Sequence, residues 1–196
     1  MSKANLLDRR QVVSTLLANR KDVVAIGGLG ASTNDMCAAG DHARNFYLWG
    51  GMGGAAMIGL GLAVARPDRR VLVITGDGEL LMGLGSLATI AVEAPRNVAI
   101  LIVDNERYGE TGMQASHTAR GVDLSAIAAA AGFAHAETIR TRRELDGWIP
   151  RAYEERGPLL AVVKVAPDPA PVVVPPRDGT WLKHRFRAHL LGSGAE

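Results

Sequence analysis

The sequence predicts an α/β protein with three layers, a mainly parallel sheet covered by helices on both faces. Three observations carry this. Residues 71–75 and 97–103 are short, continuous apolar runs rich in β-branched side chains, as in strands buried on both faces of a parallel sheet. Between them, residues 79–92 place Leu80, Leu84, Leu87, Ile90 and Ala91 at helical spacing, and Pro95 closes the segment. Further strand-like runs at 22–26, 133–139 and 159–165 alternate with helical stretches, the pattern of a parallel sheet.

Taken in order, residues 6–18 read as an amphipathic helix. Leu6, Val12, Val13, Leu16 and Leu17 share one face, and Arg9, Arg10 and Gln11 face water. The first strand, 22–26, is stopped by Gly27-Gly28. A loop with a short helix follows, capped by Ser32 or Thr33. Gly28 and Gly30 begin a glycine pattern, but position 33 is Thr, so the dinucleotide fingerprint is not met. In residues 41–48, Asp41, His42 and Arg44 are either surface charges or groups at the mouth of a site. Residues 51–65 read as a helix of small side chains suited to close packing, as at a subunit interface, and 66–70 as a solvated turn. Residues 123–131 form an alanine-rich helix. Thr141 and Glu144 make a capping box for a helix running to about residue 155. The domain spans 1–166. Residues 167–196 form a proline-rich tail whose stretch 178–191, with Trp181 and Phe186, is a short helix docked on a neighbouring subunit or a loose end.

Composition narrows the function. The chain has 196 residues and a net charge of +2, which argues against nucleic acid as the main partner. The single cysteine, Cys37, excludes an internal disulfide and fits a reducing cytoplasm; it reads as a packing residue, not a nucleophile. No apolar stretch is long enough for a membrane span, and no secretory segment opens the chain, so the expectation is a soluble, cytoplasmic protein.

The chemistry gathers where two strands end. Gly76-Asp77-Gly78 follows one strand and Asp104-Asn105 ends the next. Ligands of open parallel sheets sit beyond the carboxyl ends of strands, so Asp77 and Asn105 can face one crevice. Their oxygens suit Mg²⁺, which shares its shell with phosphates, and a helix start offers free N–H groups to a phosphate. A lone Gly-Asp-Gly is usually a turn; the second motif at the next strand end turns the reading to a Mg²⁺-bridged diphosphate. The glycine-rich run 106–114 reads as a flexible functional loop. Tyr108 is expected near the diphosphate, and Thr111 and Gln114 toward a substrate. His117 is the candidate catalytic group for proton transfer.

These residues resemble a known family. GDG, about two dozen residues, then an amide-bearing pair is similar to the metal and diphosphate motif of thiamine diphosphate enzymes. LWGGMG followed by AAMIGLGLA resembles their segment that meets the aminopyrimidine ring. Residues 76–114, with GELLMGLGSLATIA and DNERYGETGMQ, are similar to phosphonopyruvate and sulfopyruvate decarboxylases, especially the separate β chain of the latter. The resemblance covers residues 22–132 and implies the thiamine diphosphate-binding fold, with thiamine diphosphate and Mg²⁺ as cofactors. It implies Mg²⁺ ligation by Asp77, the Asn105 side-chain oxygen and the Arg107 backbone carbonyl. The backbone N–H groups of Gly78 and Glu79 would meet the diphosphate. The Gly50 carbonyl and Met52 N–H would meet the pyrimidine, with the Met52 side chain wedged under the bent cofactor. Gly51, Gly76, Tyr108 and Gly109 complete the cofactor surface. The subgroup shows Gln-Pro-Thr where this chain has Gln114-Ala115-Ser116-His117-Thr118, which leaves the substrate open.

In the family, a glutamate from a separate pyrimidine-binding domain activates the cofactor. No region of this chain resembles that domain, and Glu79 belongs to the diphosphate end. The resemblance therefore implies a partner α chain bearing the pyrimidine domain, self-association, and a small 2-oxo acid substrate with an acidic tail, decarboxylated to an aldehyde. Two other readings stand beside it: a ligation or oxidative decarboxylation on the same cofactor, and a non-catalytic assembly module.

Overall fold

The computed structural model describes residues 6–192. Six parallel strands form one sheet in the order β2-β1-β3-β4-β8-β7: β1 (Val24–Gly27), β2 (Asn45–Tyr47), β3 (Val71–Gly76), β4 (Val98–Asp104), β7 (His135–Ile139) and β8 (Leu159–Lys164). Strands β5 (Arg107–Tyr108) and β6 (Gln114–Ala115) make a small hairpin. Among the described residues the α-helices are α1 (Arg9–Leu17), α2 (Ala31–Ala38), α3 (Ala55–Ala65), α4 (Asp77–Met82), α5 (Ser86–Glu93), α6 (Leu124–Ala131), α7 (Arg142–Glu154) and α8 (Gly179–Leu191).

Alternation along the central strands builds the three layers, because successive side chains point to opposite faces. Leu72 and Ile74 of β3, with Leu101 and Val103 of β4, pack against α1, α2 and α7 through Leu16, Met36 and Trp148. Val73, Ile100 and Ile102 pack against α3, α5 and α6 through Leu60, Ile90 and Ala128. All seven residues of β4 are buried. The three-layer expectation holds. Among the described residues, no helix is long and apolar enough to cross a membrane.

Several local expectations change. The expected 79–92 helix starts earlier, at Asp77, and is two helices, broken at Gly83–Gly85. A Cβ on Gly83 would stand 2.1 Å from the Gly53 carbonyl oxygen, so a distant backbone occupies the space beside the break. Helix α3 starts at Ala55, not residue 51, leaving Gly50 to Gly54 as a loop. Arg9 and Arg10 do not face water. Both guanidiniums bind the fully buried Asp35 of α2, at 2.5 and 3.1 Å. Burial raises the Asp35 pKa, against the lowering effect of the two arginines. Ser32 and Thr33 do not cap α2, whose N-cap is Gly30; both hydroxyls donate back to the Gly28 carbonyl. Arg70, expected in a solvated turn, donates to the carbonyls of Ala152 and Glu155. The expected capping box of α7 is present.

Strand β2 was not anticipated, and neither was its cover. Helix α8 docks on its own chain, with Phe186 5.5 Å from Phe46 of β2, ring to ring. The tail helix is thus packed on its own chain.

Candidate functional site

A cleft of about 340 Å³ opens at the carboxyl ends of β3 and β4. Of the expected cofactor and metal residues, Met52, Gly76, Asp77, Gly78, Glu79, Asn105, Arg107, Tyr108 and Gly109 line it, as do Thr111 and Gln114. Gly50 and Gly51 do not line it; both are exposed on the loop that leads to Met52. His117 does not line the cleft. It is exposed behind Tyr108, with its Nδ1 3.2 Å from the Tyr108 hydroxyl oxygen. Asp41, His42 and Arg44 do not line the cleft either, and each is at least partly exposed. Asp41 binds Arg185 of α8 and Arg44 binds Asp22. Cys37 is partly buried and packs against the core, and burial, then the charge of Asp41, raises its thiol pKa.

Asp77 heads α4, where an acidic side chain is favoured by the free N–H groups and the helix dipole. Its carboxylate is buried, accepts from the Ser116 hydroxyl at 2.5 Å, and lies 3.2 Å from the Thr118 hydroxyl. Thr118 stands between two carboxylates, since its oxygen is also 2.8 Å from Asp104 Oδ1. Burial, and then the charge of Asp104, push the Asp77 pKa up to about 6, against the lowering effect of the two hydroxyls. Asp104 is itself buried, and its charge is met by Lys164, whose Nζ is 2.7 Å away and also binds Glu106 at 2.8 Å. The neighbours that give Asp104 its place, Lys164 on β8 and Thr118 after β6, are distant in sequence.

The strand end turns sharply. Glu106 adopts a left-handed φ of 61°, and the Asn105 side-chain oxygen accepts from the Arg107 amide at 3.0 Å. The stretch read as a flexible loop is the β5–β6 hairpin, pairing Arg107 with Ala115 and Tyr108 with Gln114. Thr111 and Gln114 hydrogen-bond each other within it, both at 2.9 Å. The hairpin lays the Tyr108 ring on Gly78, where a Cβ would come within 2.6 Å of the ring. Glycine is required there.

The Glu79 side chain joins two segments of the cleft. Its buried carboxylate accepts from the Gly53 amide (2.9 Å) and the Ala55 amide (3.1 Å) with one oxygen, and from the Thr75 hydroxyl with the other. It thereby ties the glycine loop before α3 to the turn after β3. Asp77 and Asn105 bring a carboxylate and an amide oxygen to the cleft at the strand ends. Among the described residues no group of three or more His, Cys, Asp or Glu is gathered to hold a metal. Such a set fits a hard cation that draws the rest of its shell from phosphate and water. The buried Asp77, pushed up by Asp104, is the carboxylate such a cation would relieve.

Comparison with known proteins agrees with this geometry. The family model described as the thiamine pyrophosphate enzyme C-terminal TPP-binding domain matches residues 22–163. The chain is 36% identical to the sulfopyruvate decarboxylase subunit beta of Methanothermobacter thermautotrophicus over 188 residues, covering 96% of this chain and 98% of that one. It is 36% identical to the phosphonopyruvate decarboxylase of Streptomyces viridochromogenes over 147 residues, covering 75% of this chain and 36% of that one. Among solved structures, a putative thiamin diphosphate-dependent enzyme from Mycobacterium smegmatis superposes with a TM-score of 0.71 at 23% identity, over 84% of this chain and 32% of that one. That likeness is one of fold.

Proposed function

The chain belongs to the thiamine pyrophosphate enzymes, with their C-terminal TPP-binding domain, and from that membership we propose that it is the β-type subunit of a decarboxylase acting on a small 2-oxo acid with an acidic tail. The observation that carries this is the meeting of Asp77 and Asn105 in one cleft at the ends of β3 and β4. Two relatives support the substrate class by name, one acting on sulfopyruvate and one on phosphonopyruvate.

Asp77, the Asn105 amide oxygen and the Arg107 carbonyl would hold Mg²⁺. Gly78 and Glu79 lie in the first turn of α4, whose N–H groups have no partner inside the helix and suit a diphosphate. The Tyr108 ring walls this turn, and Gly76 and Gly109 leave room for close approach. The Gly50 carbonyl, Gly51 and the Met52 amide would meet the ring end, with the Met52 side chain as the wedge. When bound, thiamine diphosphate supplies the electron sink for loss of carbon dioxide; the chain's part is to orient it and exclude water.

A partner α chain supplies the activating glutamate. The relative's designation as a beta subunit supports this. So does the use of Glu79, whose carboxylate is taken up by Gly53, Ala55 and Thr75. The exposed apolar face of α3, with Met57 and Val64, supports docking of that chain and self-association. The single cysteine supports a cytoplasmic setting. Residues 1–166 act as the cofactor domain, and 167–196 are an appended tail.

The test is calorimetric titration of thiamine diphosphate with Mg²⁺ into the chain, alone and with the pyrimidine-domain chain. Binding should appear or tighten with the partner, and Asp77→Ala should abolish it. Tight binding by that variant would sink the metal assignment. In the assembled enzyme Met52→Ala should keep the fold and lose turnover, with an aldehyde as the wild-type product.

A further inference from the structure

The chain beyond residue 163 lies outside the matched domain, yet it returns to the loop assigned to the cofactor's ring. After β8 it runs extended past α1, where the Arg10 guanidinium holds the Pro171 carbonyl at 2.6 Å. It then reaches Trp49. The indole N–H donates to the Pro176 carbonyl at 2.8 Å, and the Arg177 guanidinium stands 5.5 Å from the ring centroid. Helix α8 next covers β2, with Phe186 on Phe46 and Arg185 gripping Asp41 at 2.6 and 3.0 Å. Asp41 in turn accepts from the hydroxyl of Tyr47. Past the Arg10 contact on α1, these tail contacts fall on β2, on the turn before it and on Trp49, the residue next to Gly50.

The other end of the loop is held by Glu79 through Gly53 and Ala55. Between the two anchors the loop touches little: a Cβ on Gly50 or Gly51 would meet nothing within 4 Å. A span of two glycines and Met52 takes its position from its ends, because glycine itself imposes none.

We propose that the tail positions the ring-facing loop of the cofactor site through Trp49, with Pro176 and Arg177 as positioning residues. The inference rests on the assignment of Gly50 and Met52 to the cofactor's ring. Loss of the Trp49 anchor frees the glycine span, and binding must then order it again. The penalty falls on the ring end of the cofactor and spares the diphosphate end, which α4 and the hairpin hold independently.

The test compares two ligands with Mg²⁺, thiamine diphosphate and inorganic pyrophosphate, by calorimetry on full-length chains reconstituted with the pyrimidine-domain chain. Arg177 is exposed, so Arg177→Ala keeps the fold; Trp49→Ala is the stronger perturbation, and Arg177→Lys restores a cation over the indole. Arg177→Ala and Trp49→Ala should weaken thiamine diphosphate about tenfold, a change of one decade in Kd, with pyrophosphate unchanged and Arg177→Lys near wild type. Variants that bind both ligands as wild type does, or lose both equally, overturn the proposal. A wild-type complex that holds the two ligands equally overturns the ring assignment itself, and the proposal with it; that outcome is distinct because it appears before any substitution.

Discussion

The Glu79 carboxylate lies 2.9 Å from the amide nitrogen of Gly53 and so joins two segments far apart in sequence into one cleft wall. Glu79 follows directly on the Gly76-Asp77-Gly78 turn, and Gly53 closes the Trp49–Met52 loop. The link passes through a buried side chain with three donors around it, the amides of Gly53 and Ala55 and the Thr75 hydroxyl.

Glu79→Ala removes the acceptor and strands those donors away from water. A single stranded polar group costs about 1–3 kcal/mol, and relaxation of the loop recovers part of the sum. A loss of roughly 3 kcal/mol in urea unfolding is expected. Glu79→Gln keeps a carbonyl oxygen for the two amides and should return most of that stability. Equal losses for Ala and Gln would show that side-chain volume, not the hydrogen bonds, matters at this position.

Gly83→Ala tests the second junction between the same segments. Its Cβ would meet the Gly53 carbonyl oxygen at 2.1 Å and the Gly53 carbonyl carbon at 2.8 Å, both backbone atoms that cannot rotate aside. The variant should lose about 1–3 kcal/mol, as overpacked sites do. Gly85 is the control. It sits two residues on with helical backbone (φ −59°) and open space around its Cα, so Gly85→Ala should be neutral or slightly stabilising. Thermal melts of the pair decide it, and matching melting points would mean that the loop yields freely.

Lys164→Ala leaves Asp104 buried without its counter-charge. Breaking such a pair from one side is costly, about 3 kcal/mol. The second variant, Lys164→Ala with Asp104→Asn, removes the stranded charge and should recover a large part of the loss in chemical denaturation. If the double variant is no better than the single one, the lysine stem, rather than its charge, is what β8 needs.

The strands of this fold are readable because their apolar runs are continuous, and the paired strand-end motifs led to the cleft. What escaped the sequence depends on contacts between distant segments. The break at Gly83–Gly85 is invisible in the periodicity, since Leu80, Leu84 and Leu87 continue across it; it follows from the Gly53 backbone. Strand β2 is three residues long and begins with the buried polar Asn45, which carries no strand signal; α8 and β1 define it. Arg9 and Arg10 belong outside by amphipathic pattern, but the buried Asp35 of α2 draws both inward. The exposed place of His117 outside the cleft lining, against the Tyr108 hydroxyl, is a tertiary contact that its residue type does not announce.

The grip of α8 on the sheet edge should weaken in acid, and the charge that controls it is Asp41. Its carboxylate is held by Arg185 and by the Tyr47 hydroxyl, and it also accepts from the His42 amide. Burial raises its pKa, but the hydrogen bonds of Arg185 and Tyr47, with the charge of Arg185, outweigh burial and hold it below the usual carboxylate range. A carboxyl depressed in the folded state binds its proton more tightly when unfolded. Its contribution is therefore complete above the unfolded value, near pH 4, and is lost as pH falls through the lowered one. The pair is partly open to solvent, so the effect is below about 1 kcal/mol. It should register at Trp181, whose ring lies 4.5 Å from the Arg185 guanidinium. The Trp181 indole signal in NMR should hold steady from pH 7 to 5 and shift below about pH 4. Asp41→Asn should show the shifted position at every pH, with Arg185 keeping its contact to the Asn45 carbonyl. An acid step that survives unchanged in Asp41→Asn would assign the transition to other carboxylates and detach it from the tail.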